Sequence, residues 1–213
     1  MAGGGTLIKI RWIHRGIEIN RERTFNEMDT ARTTKHHRLR ESVTPEPVAE
    51  PSYPDIIIAI FHVDTHTEPI EFHWAFFVQN PGKDFGVKSH ATDISDSWEY
   101  GTGPFTLVTS ESVAAAVIIG QIPATRSLDD LDRILKSIPM NVIPDEEKDR
   151  EDKFDCRVWL REGVRRLIKE GWIRCRDVYA LEDEVQLHGE AACEEMNRGT
   201  YTSLMIHKSR YSS

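Results

Sequence analysis

The stretch Glu71-Phe72-His73-Trp74-Ala75-Phe76-Phe77-Val78 decides how the chain is read. Phe72, Trp74, Phe76 and Val78 alternate with His73, Ala75 and Phe77, the period of a strand with one face on a core. His73 belongs to the face opposite the aromatic row, where it meets either a helix layer or solvent. Upstream, Ile56-Ile57-Ile58-Ala59-Ile60-Phe61 is a continuous apolar run, as expected of a strand buried on both faces. Downstream, Asn80-Pro81-Gly82-Lys83 signals a turn, and Gly86 to Thr92 reads as a third strand carrying His90. Trp98-Glu99-Tyr100 and Phe105-Thr106-Leu107-Val108 read as two strands split by a turn at Gly101-Thr102-Gly103-Pro104. Val113 to Ile122 has alanines that suit a helix and Val/Ile content that suits a strand. Its place in a strand series favours sheet.

Helical patterns come next. Ser127 is an N-cap type with Asp129 and Asp130 behind it, and Leu128, Leu131, Ile134, Leu135 and Ile138 recur at helical spacing up to Pro139. Asp145 to Lys153 mixes both charge signs and reads as a solvated loop. Phe154 to Glu170 carries the stripe Leu160, Val164, Leu167 and Ile168, with Gly171 placed to end it. A last helix spans Val178 to Asn197. Strands first and helices after predict an α+β domain, an antiparallel sheet of about five strands with the Cys156 helix packed on one face.

The flanks differ. Leu7 to Ile13 alternates imperfectly and suits a short strand, but Asn20 to Glu50 is polar and aperiodic, and Pro45, Pro47, Pro51 and Pro54 punctuate its end. Such a composition buries too little surface to offset chain entropy. The expected division is a flexible arm or linker over 1–53, a folded domain over 54–198 and a weakly specified tail over 199–213. His36-His37, between Lys35 and Arg38, has the residue types of a metal or anion site but reads as part of a solvated arm.

Of the 213 residues, 39% are hydrophobic and 29% charged, with a net charge of −8. An acidic chain argues against a binder that tracks nucleic-acid phosphates. No apolar run reaches the ~18 residues of a membrane span, and the N-terminus lacks the parts of a signal peptide. Three widely spaced cysteines make neither a disulfide framework nor a zinc site. A reducing, cytoplasmic setting, no metal and no cofactor are therefore expected. Gly101-Thr102-Gly103 lacks the strand-to-helix context of a phosphate loop.

Cys156 is the residue with chemical promise. It opens the Phe154–Glu170 pattern behind Asp155, a good N-cap, so its thiol is expected to feel unpaired amides and a helix dipole that favour thiolate. The bland alternative is a small buried apolar residue. His73 is a candidate base for that thiol if its strand meets the helix. His90, on the neighbouring strand, is a candidate orienter of His73, with Asp93 and Asp96 as alternatives. Arg157 and Arg161, one helical turn apart, suit either a substrate carboxylate or a solvated face. Arg157 and Trp74 are assigned to substrate binding. Cys175 and Cys193 read as structural.

Phe72-His73-Trp74-Ala75-Phe76-Phe77-Val78, then Val87-Lys88-Ser89-His90-Ala91, then Phe154-Asp155-Cys156-Arg157-Val158-Trp159-Leu160-Arg161-Glu162-Gly163-Val164 resembles the core of the circularly permuted papain-like proteins. In that superfamily a His-Trp-Ala strand comes first and the cysteine last, at the start of a helix. Lecithin retinol acyltransferase-like and PPPDE-type proteins share the order, and a family of small fungal proteins of uncharacterised function is similar. The resemblance covers about residues 55 to 175. It implies a Cys156 nucleophile, a His73 base, a His90 orienter and a thioester acyl-enzyme formed on a peptide-like or small acyl substrate. Arg157 stands where the acyltransferases carry Glu-His, a departure from the lipid-acyltransferase pattern. The alternative is a binding or scaffold protein of the same fold with Cys156 as packing.

Overall fold

The computed structural model describes residues 11–14, 17–20, 50–64, 70–94 and 97–213. The chain divides into two units, 1–43 and 44–213. In the first, β1 (Arg11–His14) and β2 (Ile17–Asn20) form an antiparallel pair with Trp12 opposite Ile19 and Ile13 opposite Glu18. Residues 7–10, most of the polar stretch and His36-His37 lie outside the described residues.

The second unit is built on β3 (Asp55–Asp64), β4 (Glu71–Gln79), β5 (Gly86–Ile94), β6 (Ser97–Phe105), β7 (Val113–Gln121) and β8 (Ile206–Lys208). They form a six-stranded sheet in the order β6-β5-β4-β3-β7-β8, antiparallel except for the parallel β7–β8 pair. Three helices lie between β7 and β8 in the chain: α1 (Leu128–Lys136), α2 (Cys156–Lys169) and α3 (Val178–Arg198). The architecture is α+β, with strands largely preceding helices.

Alternation sorts the central strands between two layers. Ile56, Ile58 and Ile60 of β3 and Phe72, Trp74, Phe76 and Val78 of β4 join the helix-side core with Trp159, Leu160, Val164 and Leu167 of α2. Ile57, Ala59, Phe61, Ala75 and Phe77 join a second cluster on the other face, with Leu107, Val113, Ala116 and Ile206. The continuous apolar run in β3 is thus buried on both faces. α2 comes close because Gly163 lacks a side chain: a Cβ there would stand 2.6 Å from Phe76 Cε2. Ser127 caps α1 through a reciprocal capping box with Asp130.

The structure departs from the sequence reading in three places. Residues 97–105 form one strand, not two strands about a turn. β6 is an edge strand, where Pro104 needs no ladder partner for its missing N–H. Residues 199–213 are not left outside the fold: β8 pairs with β7, and buried Glu184 of α3 accepts from Ser209 Oγ at 2.7 Å and from the Arg210 N–H at 3.0 Å. The charged loop is not simply solvated. A short 3₁₀ turn at Asp145–Glu147 sinks Glu147 to zero exposure, where it meets Arg161 of α2.

Candidate active site

Pairing between β4 and β5 runs only from Gln79/Gly86 to Phe76/Ser89, although β4 extends back to Glu71 and β5 forward to Ile94. Where the ladder stops, the two strands contribute the site. His73 Nε2 and His90 Nδ1 are 2.6 Å apart, with the rings edge to face. Directly opposed residues share a face, so the Phe76/Ser89 and Phe77/Lys88 pairs put Lys88 and His90 on the Phe77 side, opposite the helices. The His73 ring also meets Phe61 on that side, at 6.1 Å between centroids. A Cβ at Gly101 of β6, which pairs with His90, would lie 2.9 Å from His90 Nε2. The bare backbone there makes room for the imidazole.

Cys156 opens α2, which packs on both β4 and β5. Asp155 caps the helix, accepting from the N–H groups of Arg157 at 2.9 Å and Val158 at 2.8 Å. The backbone N–H of Trp74, which follows His73 on β4 where the strand no longer pairs with β5, is among the groups that favour the Cys156 thiolate. The Trp74 nitrogen is two bonds from the His73 Cα, but the His73 ring projects to the face opposite α2, so thiol and imidazole stand on opposite sides of β4. Its ionisation differs from the sequence expectation. Burial pushes the thiol up to about 11, and the Asp155 carboxylate adds to the rise; the N–H groups of Trp74 and of Cys156 itself and the charge of Arg157 pull only partly the other way. The capping carboxylate and desolvation outweigh the dipole, and the resting group is a thiol.

Trp74 buries its indole in the core at 2% exposure, so the group it presents to the thiol is its amide. Arg157 is engaged with Glu151 and Glu182. Arg161 is neither solvated nor open to a ligand. It is 2% exposed, binds Glu147 through Nε at 3.0 Å and Nη2 at 2.8 Å, and reaches Glu182 at 2.7 Å. Arg165 adds a further ion pair to Glu147. Asp93 is exposed, and Asp96 lies outside the described residues.

One pair escaped sequence reasoning. Cys193 Sγ of α3 lies 3.4 Å from His62 Nδ1 of β3, both buried, while His62 Nε2 has no hydrogen-bond partner. No local signal links residues 131 apart in sequence. Burial pushes Cys193 up to about 11 and lowers His62, so the pair stays neutral. At 1% exposure on the buried side of α3, Cys193 offers a substrate no approach. Cys175, half-buried, donates weakly to the Asp177 carbonyl. Among the described residues, no group of three or more His, Cys, Asp or Glu side chains is placed to hold a metal ion, and no helix is long and apolar enough to cross a membrane.

Fold and site together define an α+β protein with buried thiols and imidazoles gathered on its sheet, an arrangement compatible with thiol chemistry. Residues 60–174 match the model of a family of unknown function, DUF6540, and the chain belongs to that family. The matched segment contains His73, His90 and Cys156 but neither Cys193 nor β8. No curated protein and no solved structure matches.

Proposed function

We propose that the chain is a cysteine-dependent acyl-transfer enzyme, a hydrolase or acyltransferase acting on an amide, ester or thioester, with the strand-first, cysteine-last order of the permuted papain-like proteins. The observation that carries this reading is the 2.6 Å His73–His90 contact on the strands against which α2, opened by Cys156, packs.

The roles follow from the atoms. Thiol and imidazole start from opposite faces of the sheet, and the mechanism requires them to meet where the pairing of β4 with β5 stops. His73 turns Nε2 to His90, and in this reading Nδ1, the ring nitrogen nearer the backbone, is the one that serves the thiol. The role needs one tautomer: Nε2–H of His73 donating to His90 Nδ1, with the lone pair on Nδ1 of His73. The sulfur attacks the acyl carbon as His73 Nδ1 takes the S–H proton, and a C–S bond forms. The N–H of Trp74 supports the sulfur as it becomes anionic. The N–H of Cys156, outside the Asp155 cap, donates to the developing oxyanion. His73 then returns the proton to the leaving group as the old acyl bond breaks. Water, an amine or an alcohol attacks the thioester, gives its proton to His73 and expels the thiol. Because the resting thiol is neutral, base catalysis belongs to the attack step and not to a preformed ion pair.

The test is trapping. After exposure to p-nitrophenyl acetate near neutral pH, peptide mass spectrometry should find the acetyl group on Cys156 well ahead of Cys175 and Cys193. Acetylation of all three at one rate, or of Cys175 alone, contradicts the reading and favours a scaffold in which Cys156 only packs.

A further inference from the structure

The sheet face that carries His73 and His90 also carries Lys88, two residues before His90 on β5. Its ammonium stands 5.2 Å from the centre of the Phe61 ring and 5.1 Å from that of Phe105. Aromatic faces attract a cation but do not neutralise it. Among the described residues no carboxylate lies within ion-pair distance of Lys88, and burial alone lowers its pKa. The other cations around the site differ. Arg157, Arg161 and Arg165 are all engaged by Glu147, Glu151 or Glu182.

Across the ladder from Lys88 the edge strand carries glycines. Gly103 lies opposite Lys88 and Gly101 opposite His90, so β6 presents no side chain directly opposite either, and its nearest one to Lys88 is Phe105. A Cβ built at Gly103 would meet nothing within 4 Å. A partly desolvated cation with no carboxylate beside it, next to open backbone and two imidazoles, is complementary to an anion. One cation matches one negative charge. A dianion would bring a second charge into a partly dry site that has no fixed cation to meet it.

We infer that Lys88 is a carboxylate-binding residue, and that the site takes a small acyl substrate with a free carboxylate near the carbonyl under attack. The carboxylate lies on the Gly101–Gly103 strip with its oxygens on the Lys88 ammonium, and the carbonyl beside it reaches the gap between β4 and β5. Calling that carboxylate part of a substrate rests on the acyl-transfer reading; the binding site itself does not.

The experiment uses the Cys156→Ala protein, so no thiol chemistry intervenes. The imidazole C–H signals of His73 and His90 are followed by NMR during titration with N-acetylglycine, with its neutral analogue N-acetylglycinamide and with inorganic phosphate. N-acetylglycine should give saturable shifts, and the amide and phosphate should bind markedly more weakly. Lys88→Met, which keeps an apolar stem between the two rings, should weaken N-acetylglycine about ten-fold or more while the thermal midpoint holds, and Lys88→Arg should restore part of the affinity. Absence of a saturable shift with N-acetylglycine, equal affinity in Lys88→Met, or equal binding of acid and amide overturns the inference, and stronger binding of phosphate overturns its assignment to a carboxylate. Carboxylate binding without acetyl trapping on Cys156 would remove the enzyme and keep the site; trapping without carboxylate binding would do the reverse.

Discussion

Gly101 is a residue whose importance comes from what it lacks. Gly101→Ala places a Cβ 2.9 Å from His90 Nε2 and 3.2 Å from its Cδ2, so the imidazole must shift. His73 then loses the partner that holds its tautomer. We expect Gly101→Ala to slow acetylation of Cys156 by about ten-fold, with little change in thermal midpoint, because the methyl is added at an edge strand. An unchanged rate with a lowered midpoint would make Gly101 a packing residue only. The alternation around His73 is legible in sequence, and so is the N-cap before Cys156. The ionisation of the thiol is not, because desolvation depends on the chain packed around the helix start and not on the helix itself.

At the level of elements, α2 is tied down by buried charge as well as by its apolar stripe. Arg161 and Glu147 are almost wholly withdrawn from water, and removing Arg161 leaves Glu147 with Arg165 alone and takes the closest cation from Glu182. Arg161→Ala should cost about 3–5 kcal/mol in chemical denaturation, whereas Glu147→Leu with Arg161→Met should cost clearly less than the single change. Equal losses would mean that packing, not charge, dominates. This network is also where sequence reading stopped. An arginine and a glutamate 14 residues apart look like ordinary solvated charges until the 3₁₀ turn brings them together. β3, β4, β5, β7 and all three helices could be read because their patterns are local. β6 could not, because Gly101, Gly103 and Pro104 imitate a turn, and β8 could not, because three residues are too few to show a period and take their register from β7.

For the whole molecule, acid should act through the stacked imidazoles that join α3 to β8. The rings of His188 and His207 are 3.7 Å apart, and burial, with His188 beside it, lowers His207 to about 4. Burial likewise lowers His188, against an opposing pull from Glu184 and with a small push from Arg210. Between the ordinary value of 6.5 and about 4, the unfolded chain binds a proton at His207 that the folded chain refuses. This contribution to stability is therefore complete above about 6.5 and is lost as pH falls toward 4. His207→Phe, which keeps a stacking ring, should show a smaller drop in thermal midpoint over that window than the unmodified protein. Equal drops would remove the imidazole pair as the cause. The same fold that buries these rings sets a strand histidine and a helix cysteine, far apart in sequence, on the two faces of β4. The most direct test of their partnership is the rate of Cys156 acetylation by p-nitrophenyl acetate as a function of pH, in the unmodified protein and in His73→Ala. If His73 removes the proton, the unmodified protein reacts near pH 7 far faster than its thiolate content permits, while the variant gains about ten-fold per pH unit until the thiol ionises near 11. Identical profiles in the two proteins would contradict it.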